Sequence, residues 1–242
     1  MSKLYEFMDL LYGQINKGIY VWGGNGENLS EMKDPIAWID RKVAETKNRV
    51  LAINLYKERA AKGIEVRAFD CSGLVYWCLK TLGLQKEDVS SRGLYNLCDK
   101  VKSHNDLKVG DLVFHHNGTR IVHVGVYAGD GQCIEDRGYK YGVVLSNRSL
   151  TTYWNRYGRW KDFKNDSVDP IPEPEPPKTT VYVKGRSVNV RNADNTKGTI
   201  IGIAHRKDTY PLLAIAPSGW YMINYKGAIG YISNRADLTE LR

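Results

Sequence analysis

The sequence predicts an α+β domain followed by a small all-β domain, and three observations carry that expectation. Apolar residues recur at helical spacing up to about residue 82, then give way to short β-branched runs between 109 and 145. Residues 164–178 hold five of the eight prolines, Pro170, Pro172, Pro174, Pro176 and Pro177, with four acids among them. Beyond that segment no helical pattern recurs and only β-rich pieces remain.

The first helix is expected over residues 3–16, with Leu4, Phe7, Met8, Leu11 and Ile15 as its apolar positions. The segment Tyr20-Val21-Trp22-Gly23-Gly24 follows it. A second helical region is expected over 35–62. Pro35 suits a first helical turn, Gly63 suits an end, and Ile36, Ile39, Val43, Val50, Ile53 and Leu55 supply apolar positions. The next helix opens at Phe69-Asp70-Cys71-Ser72-Gly73. Leu74, Val75, Cys78, Leu79 and Leu82 keep its period, and Gly83 stops it. Strands are expected at 109–114, 122–128, 132–136 and 142–145, each bounded by Gly, Asp or Asn.

The segment 164–178 reads as an extended, semi-rigid spacer that cannot pack a core, dividing 1–163 from 179–242. After it, β-rich pieces at 187–191, 199–204, 209–215, 220–225 and 228–232 predict a small five-stranded barrel. The formal charge of +8 divides into +5 over 1–163, −3 over 164–177 and +6 over 178–242. Such a balance suits a polyanionic partner. The chain has no clustered Lys/Arg run, no zinc spacing and no motif of a nucleic-acid reader, so no nucleic acid is expected, although basic charge alone does not choose between nucleic acid and a bacterial wall. No apolar run reaches the ~18 residues of a membrane span, and no integral membrane association is expected. The N-terminal stretch carries acids where a signal peptide would be apolar, and reads as the first helix.

The four cysteines, Cys71, Cys78, Cys98 and Cys133, are expected to be reduced. Cys71 and Cys78 stand two turns apart on one helix, roughly 10 Å at 1.5 Å per residue, too far for a disulfide. No C-x-x-C pair points to zinc, and neither a metal nor a cofactor is implied. Cys78 and Cys133 read as small buried hydrophobes, and Cys98 stays unassigned.

Asp70 is a natural N-cap, which places Cys71 in a first helical turn. Unpaired N–H groups and the helix dipole favour an anion there and predict a lowered thiol pKa. The base is expected from Val122-His123-Val124. Gly129-Asp130-Gly131 predicts a three-residue hairpin loop that pairs 128 with 132 and 125 with 135. With a side-chain period of 2, His123 and Glu135 then project from one face as diagonal neighbours. Glu135 would accept the Nδ1 proton of His123 and leave Nε2 to take the proton of Cys71, the set that cysteine acyl transfer needs. Each part has a plainer reading: Cys71 as core, His123 as a satisfied polar group, Glu135 as a solvated hairpin charge. His115 and His116 are the rival bases, at a strand end that favours surface roles. His104 and His205 show no constellation.

Four blocks occur in order over most of 1–163: Tyr20-Val-Trp-Gly-Gly, Phe69-Asp-Cys-Ser-Gly-Leu-Val, Lys108-Val-Gly-Asp-Leu-Val-Phe and His123-Val-Gly-Val-Tyr-Ala-Gly-Asp-Gly. Together they resemble the NlpC/P60 family of peptidoglycan cysteine peptidases. The resemblance implies a papain-like fold and hydrolysis of amide bonds in wall stem peptides, commonly after γ-D-glutamate. It implies Cys71 as nucleophile and His123 as base, and puts Glu135 where the family more often has His, Asn or Gln. It further implies Tyr20 beside the nucleophile, with its hydroxyl on substrate or oxyanion, and Asp70 and Ser72 binding the stem peptide near D-glutamate. For Asp70 the cap and the binding role compete. Trp22 reads as a cleft wall or as core. Some 44 residues, 25–68, separate two blocks that run close together in simpler members. This insertion either narrows the cleft mouth or packs outside it.

Ser187-Val-Asn-Val-Arg-Asn192, Gly219-Trp220-Tyr221 and Gly227-Ala-Ile-Gly-Tyr-Ile232 resemble bacterial SH3 domains, which commonly bind cell walls in lytic enzymes. The expectation is therefore a hydrolase of bacterial peptidoglycan built from a peptidase, a tether and an SH3-type barrel. Its layout resembles a phage or prophage endolysin, made without a signal peptide and reaching the wall after release. Two alternatives stay open: an N-acetylmuramoyl-L-alanine amidase or cross-bridge peptidase using the same Cys–His pair, and a non-catalytic wall-binding protein.

Overall fold

The computed structural model describes residues 2–164, 179–216, 218–225 and 228–242. The chain divides into two compact units, Met1–Ile171 and Pro172–Arg242. Apart from Lys164, the proline-rich segment expected as a spacer lies outside the described residues.

In the first unit, α1 (Lys3–Gln14) is capped by Ser2, whose Oγ accepts the Tyr5 N–H at 3.2 Å, and it buries Leu4, Phe7, Met8 and Leu11. Strands β1 (Ile19–Tyr20) and β2 (Asn25–Asn28) come next, followed by α2 (Pro35–Lys42), α3 (Thr46–Ala61) and β3 (Arg67–Phe69). The single helical region expected over 35–62 is thus two helices. The chain turns at 43–45, which lets Ile39, Val43 and Ala52 share one core with Ile19, Val21 and Leu29. Val50, expected on the apolar side, is half exposed. β1 lies parallel to β3 with Tyr20 opposite Phe69, and β2 covers the other edge of β3 antiparallel. This small sheet carries Tyr20 to the start of α4 (Cys71–Thr81).

After α5 (Ser91–Leu97), six strands form one sheet: β4 (Asp99–Val101), β5 (Leu112–His116), β6 (Ile121–Gly129), β7 (Gln132–Asp136), β8 (Val143–Ser146) and β9 (Arg156–Arg159), in the order β4-β9-β5-β6-β7-β8. The four expected strands are β5 to β8. The unexpected pair, β4 and β9, extends the β5 edge, where Arg159 forks onto both oxygens of buried Asp111 at 2.8 Å. Side-chain alternation sorts the central strands into two layers. Phe114, Val124, Val126 and Ile134 join Phe7, Leu74 and Cys78 in the main core, while Val113 and Cys133 pack with Trp154 in a second cluster. All four cysteines are free and buried.

The second unit contains β10 (Thr180–Val183), β11 (Ser187–Arg191), β12 (Ile200–His205), β13 (Thr209–Ile215), β14 (Tyr221–Tyr225), β15 (Ala228–Ile232) and β16 (Thr239–Leu241). The five expected strands are present within a residue or so. Strands β10 and β16 add to them, pairing with each other at the two ends of the unit. The strand order is β12-β11-β15-β14-β13-β10-β16, with β12 and β16 at its ends, so no pairing among the described residues closes it into the expected barrel. Val181, Val183, Val188, Val190, Ala204, Ile223 and Ile232 form its core.

The first turn of α4 sits directly on the turn that precedes β2. A Cβ added at Gly73 would stand 1.9 Å from the Gly24 carbonyl oxygen, a backbone atom that cannot step aside alone. Gly73→Ala is therefore expected to destabilise the protein by about 1–3 kcal/mol in urea unfolding. Activity should fall with it, because the helix start that carries Cys71 has to move.

Candidate active site

Asp70 caps α4 from an extended backbone, and its carboxylate accepts three hydrogen bonds. Oδ1 takes the Gly73 N–H at 2.8 Å and the Ser72 hydroxyl at 2.9 Å, and Oδ2 takes the Gly23 N–H at 3.0 Å. The cap and the glycine turn are thereby tied together, with Cys71 in the first turn as expected. The electrostatics differ from expectation. Cys71 is 8 % exposed, and burial pushes its thiol up to about 12, with Asp70 and Asp136 adding to the rise. The N–H groups of Val124 and Ser72 lie against the sulfur and favour the thiolate, but they do not outweigh desolvation. The resting Cys71 is a thiol, and a base has to remove its proton.

The candidate base lies on β6. The β6–β7 ladder pairs Val126 with Ile134 and Tyr127 with Cys133, the register expected from sequence. Its turn is not the expected three-residue loop. Gly129 pairs with Gln132, leaving Asp130-Gly131 at the tip, and a bulge between Tyr127 and Gly129 absorbs the extra residue. Parity survives, and His123 and Glu135 share a face. His123 Nε2 donates to Glu135 Oε2 at 2.7 Å. This reverses the expected assignment of the ring nitrogens: Nε2 is held by the carboxylate, so Nδ1 is the nitrogen left for proton transfer. The sulfur of Cys71 stands at the N–H of Val124, the residue after His123.

Glu135 is fully buried, which rules out the reading of a solvated hairpin charge. Oε1 accepts the Ser146 hydroxyl at 2.6 Å and lies 3.1 Å from Arg148 Nε. Burial alone would raise its pKa. The hydrogen bond and charge of His123, the Ser146 hydroxyl and Arg148 overcome that and hold it below the ordinary carboxylate range. The His123 ring stacks on buried Trp154 (5.4 Å between centroids, 14°) and meets Tyr153 edge-on at 6.4 Å.

Tyr20 is half-buried and stands edge-to-face on Tyr139 at 4.8 Å. Burial, then the proximity of Cys71, Asp70 and Asp136, raises its phenol pKa, so the hydroxyl is a donor at neutral pH. A cleft of about 330 Å³ opens between Tyr20, His115, His123, Tyr139, Arg148 and Tyr153. His115, expected in a surface role, instead lines this cleft. It pairs with His123 across β5–β6, stacks flat on Tyr153 at 4.4 Å, and its Nδ1 donates to the Tyr153 carbonyl at 2.7 Å. Trp22 is 67 % exposed and belongs neither to a core cluster nor to this lining.

Sequence reasoning missed Ser146, Arg148, Tyr153 and Trp154, which follow the last expected strand, in a stretch without periodicity. It also missed Asp136. This carboxyl is buried with no hydrogen bond among the described residues. Burial, and then neighbouring Asp70 and Glu135, raise its pKa well above the ordinary value despite Arg59. The arrangement as a whole supplies a nucleophile, a base fixed by an ionised carboxylate, and a hydroxyl donor, the parts that acyl transfer requires.

A model of the NlpC/P60 family matches residues 17–159. Among curated proteins, the chain is 38% identical over 93 residues to the murein DD-endopeptidase MepH of Escherichia coli (strain K12), covering 37% of this chain and 34% of that one. It is 39% identical over 91 residues to the probable endopeptidase p60 of Listeria welshimeri (37% and 16%), and 30% identical over 98 residues to the peptidoglycan DL-endopeptidase CwlO of Bacillus licheniformis (40% and 21%). The chain spans about a third or less of the length of these relatives. Among solved structures, the NlpC/p60 domain of the peptidoglycan hydrolase SagA is similar at 20% identity and a TM-score of 0.40, over 64% of this chain and 97% of that one.

Two outcomes follow from the charges. The rate at which iodoacetamide alkylates Cys71, followed by mass spectrometry of its peptide, is expected to climb about tenfold per pH unit to beyond pH 9. A plateau below pH 7 would instead reveal a thiolate–imidazolium pair already formed at rest. Glu135 has a lowered folded pKa, so its stabilisation is complete above the unfolded value of about 4.3 and is lost as pH falls through the folded pKa. In urea unfolding between pH 2.5 and 7, Glu135→Gln should flatten that acid limb.

Proposed function

The chain belongs to the NlpC/P60 family, a family of cysteine peptidases, and on that premise we propose that it hydrolyses an amide bond in the stem peptides of bacterial peptidoglycan, the bond between γ-D-glutamate and the diamino acid. The observation that carries this reading is the 2.7 Å contact of His123 with ionised Glu135 on the strand whose Val124 N–H faces the Cys71 sulfur. The matched curated proteins are named as endopeptidases, two of them of murein or peptidoglycan, which supports the substrate class.

In this mechanism His123 Nδ1 takes the thiol proton as the sulfur attacks the carbonyl carbon. The imidazolium so formed is stabilised by Glu135, which cannot leave because Ser146 and Arg148 hold its other oxygen. The backbone N–H of Cys71 and the Tyr20 hydroxyl serve the tetrahedral oxyanion. His123 then returns its proton to the leaving amine, and water resolves the thioester with the same residue as base. Ser72, donating its hydroxyl to Asp70, borders the acyl side. The β-rich second unit is the wall-binding module in this reading, of SH3 type, raising the effective concentration of the peptidase at its substrate. A chain of this layout acts as a lysin of the phage or prophage kind on the wall.

Purified walls treated with the wild type should lose turbidity, and Cys71→Ala should abolish that loss. Mass spectrometry of the released muropeptides should show new N-terminal diamino acid. Intact stem peptides freed from glycan would replace this reading with an N-acetylmuramoyl-L-alanine amidase.

A further inference from the structure

The cleft beside His123 is cationic in a way the chemistry described above does not use. His123 must hand its proton to the leaving amine, so the leaving-group residue lies on the His123 side of the scissile bond. That side of the cleft is lined by Arg148 and Arg137, and no acidic side chain lines it. Arg148 keeps its Nε 3.1 Å from Glu135 and lies over the Tyr153 ring at 4.1 Å, its side chain 22 % exposed. No hydrogen bond from its two terminal nitrogens is found among the described residues. Arg137 is exposed and lies over Tyr141 at 4.9 Å, and its side chain likewise makes no hydrogen bond among the described residues. Both guanidiniums act electrostatically on the Tyr153 phenol, as does Cys71, so this ring stands within range of the nucleophile and both cations.

The charges do not cancel. Glu135 is one negative charge already shared between His123 and Arg148, while Arg137 makes no ion pair among the described residues. A counter-charge for Glu135 would need only Nε, and the outer face of the Arg148 fork is the geometry that accepts a carboxylate by two parallel hydrogen bonds.

We infer that Arg148 and Arg137 form a carboxylate subsite on the leaving-group side, so that cleavage favours a leaving residue bearing a free carboxylate. This rests on the peptidase reading above. Stem peptides offer that chemistry from two sources: a side-chain carboxylate on the diamino acid, or the terminal α-carboxylate of a trimmed stem.

Four synthetic γ-D-glutamyl-diaminopimelate substrates separate the possibilities: both carboxylates of the leaving residue free, only the side-chain one amidated, only the α one amidated, and both amidated. The wild type is expected to show kcat/KM about tenfold higher for the free acid than for the double amide. The single amide that reproduces the loss identifies the source. Arg148→Gln should bring the ratio close to one, beyond any general loss transmitted through Glu135. Arg137→Gln, which makes no contact with Glu135, should narrow the ratio several-fold and serves if the first variant does not fold. Equal cleavage of all four substrates overturns the subsite while leaving the peptidase reading intact, as does a uniform loss in both variants. Cleavage of none overturns the peptidase reading, and the subsite with it.

Discussion

The carboxylate of Asp70 is the constraint on which the geometry of the site depends. It draws together the first turn of α4, the Ser72 side chain and the Gly23 turn, and the Asp70 N–H in turn donates to the Gly24 carbonyl at 2.8 Å. An ordinary helix cap contributes about 1 kcal/mol. Here the same oxygens also set how far the Tyr20 strand stands from the nucleophile. Gly73 is required because α4 approaches the Gly24 carbonyl too closely for any Cβ. Both oxygens of Asp70 are engaged by the protein's own donors, as the cap role requires.

Around that frame two neighbouring acidic side chains are shifted in opposite directions by their partners. Glu135 has a hydroxyl and two nitrogen donors and its pKa is lowered; Asp136, a residue away on the opposite face of β7, is fully buried and its pKa is raised. The difference follows from which layer each faces, not from residue type. The ionised Glu135 is the carboxylate placed against the His123 ring. Desolvation raises the Cys71 thiol pKa and so opposes an ion pair at rest.

Much of this was legible in the sequence where the signal is local. Caps and periodicity marked α1 and α4, and the Gly-Asp-Gly turn with period-2 counting placed His123 and Glu135 on one face. The bulge changed the turn without changing that parity. The thiol pKa was misread because a helix terminus is visible in a sequence, whereas the desolvation that outweighs it depends on what Val124 and its neighbours pack over the sulfur. Strands β4, β9, β10 and β16, of three or four residues, exist through non-local pairing and carry too short a pattern to be read. Arg148 reaches Glu135 and Trp154 reaches His123 only because the chain after β8 returns along β5, a consequence of topology that no spacing encodes. The expected barrel rested on strand count, which does not specify how the ends of a sheet pair.

No side chain of the insertion 25–68 lines the cleft; the insertion packs behind its wall, against Tyr139. Arg59, buried on α3, donates Nη1 to the Gly18 carbonyl and Nη2 to the Tyr141 carbonyl at 2.9 Å. One bond fixes the residue before β1, and the other fixes the loop that carries Tyr139. Tyr139 packs on the insertion's core and stands edge-on to Tyr20. The two aromatic rings of the cleft wall are therefore set from behind by a single guanidinium. Its charge also opposes the rise that burial imposes on the Asp136 carboxyl pKa. A neutral replacement at position 59 would leave the buried Gly18 carbonyl without its donor, costing about 1–3 kcal/mol, and would free the Tyr141 carbonyl of the loop that carries Tyr139. The insertion is thus coupled to the position of Tyr20 through Arg59 and Tyr139.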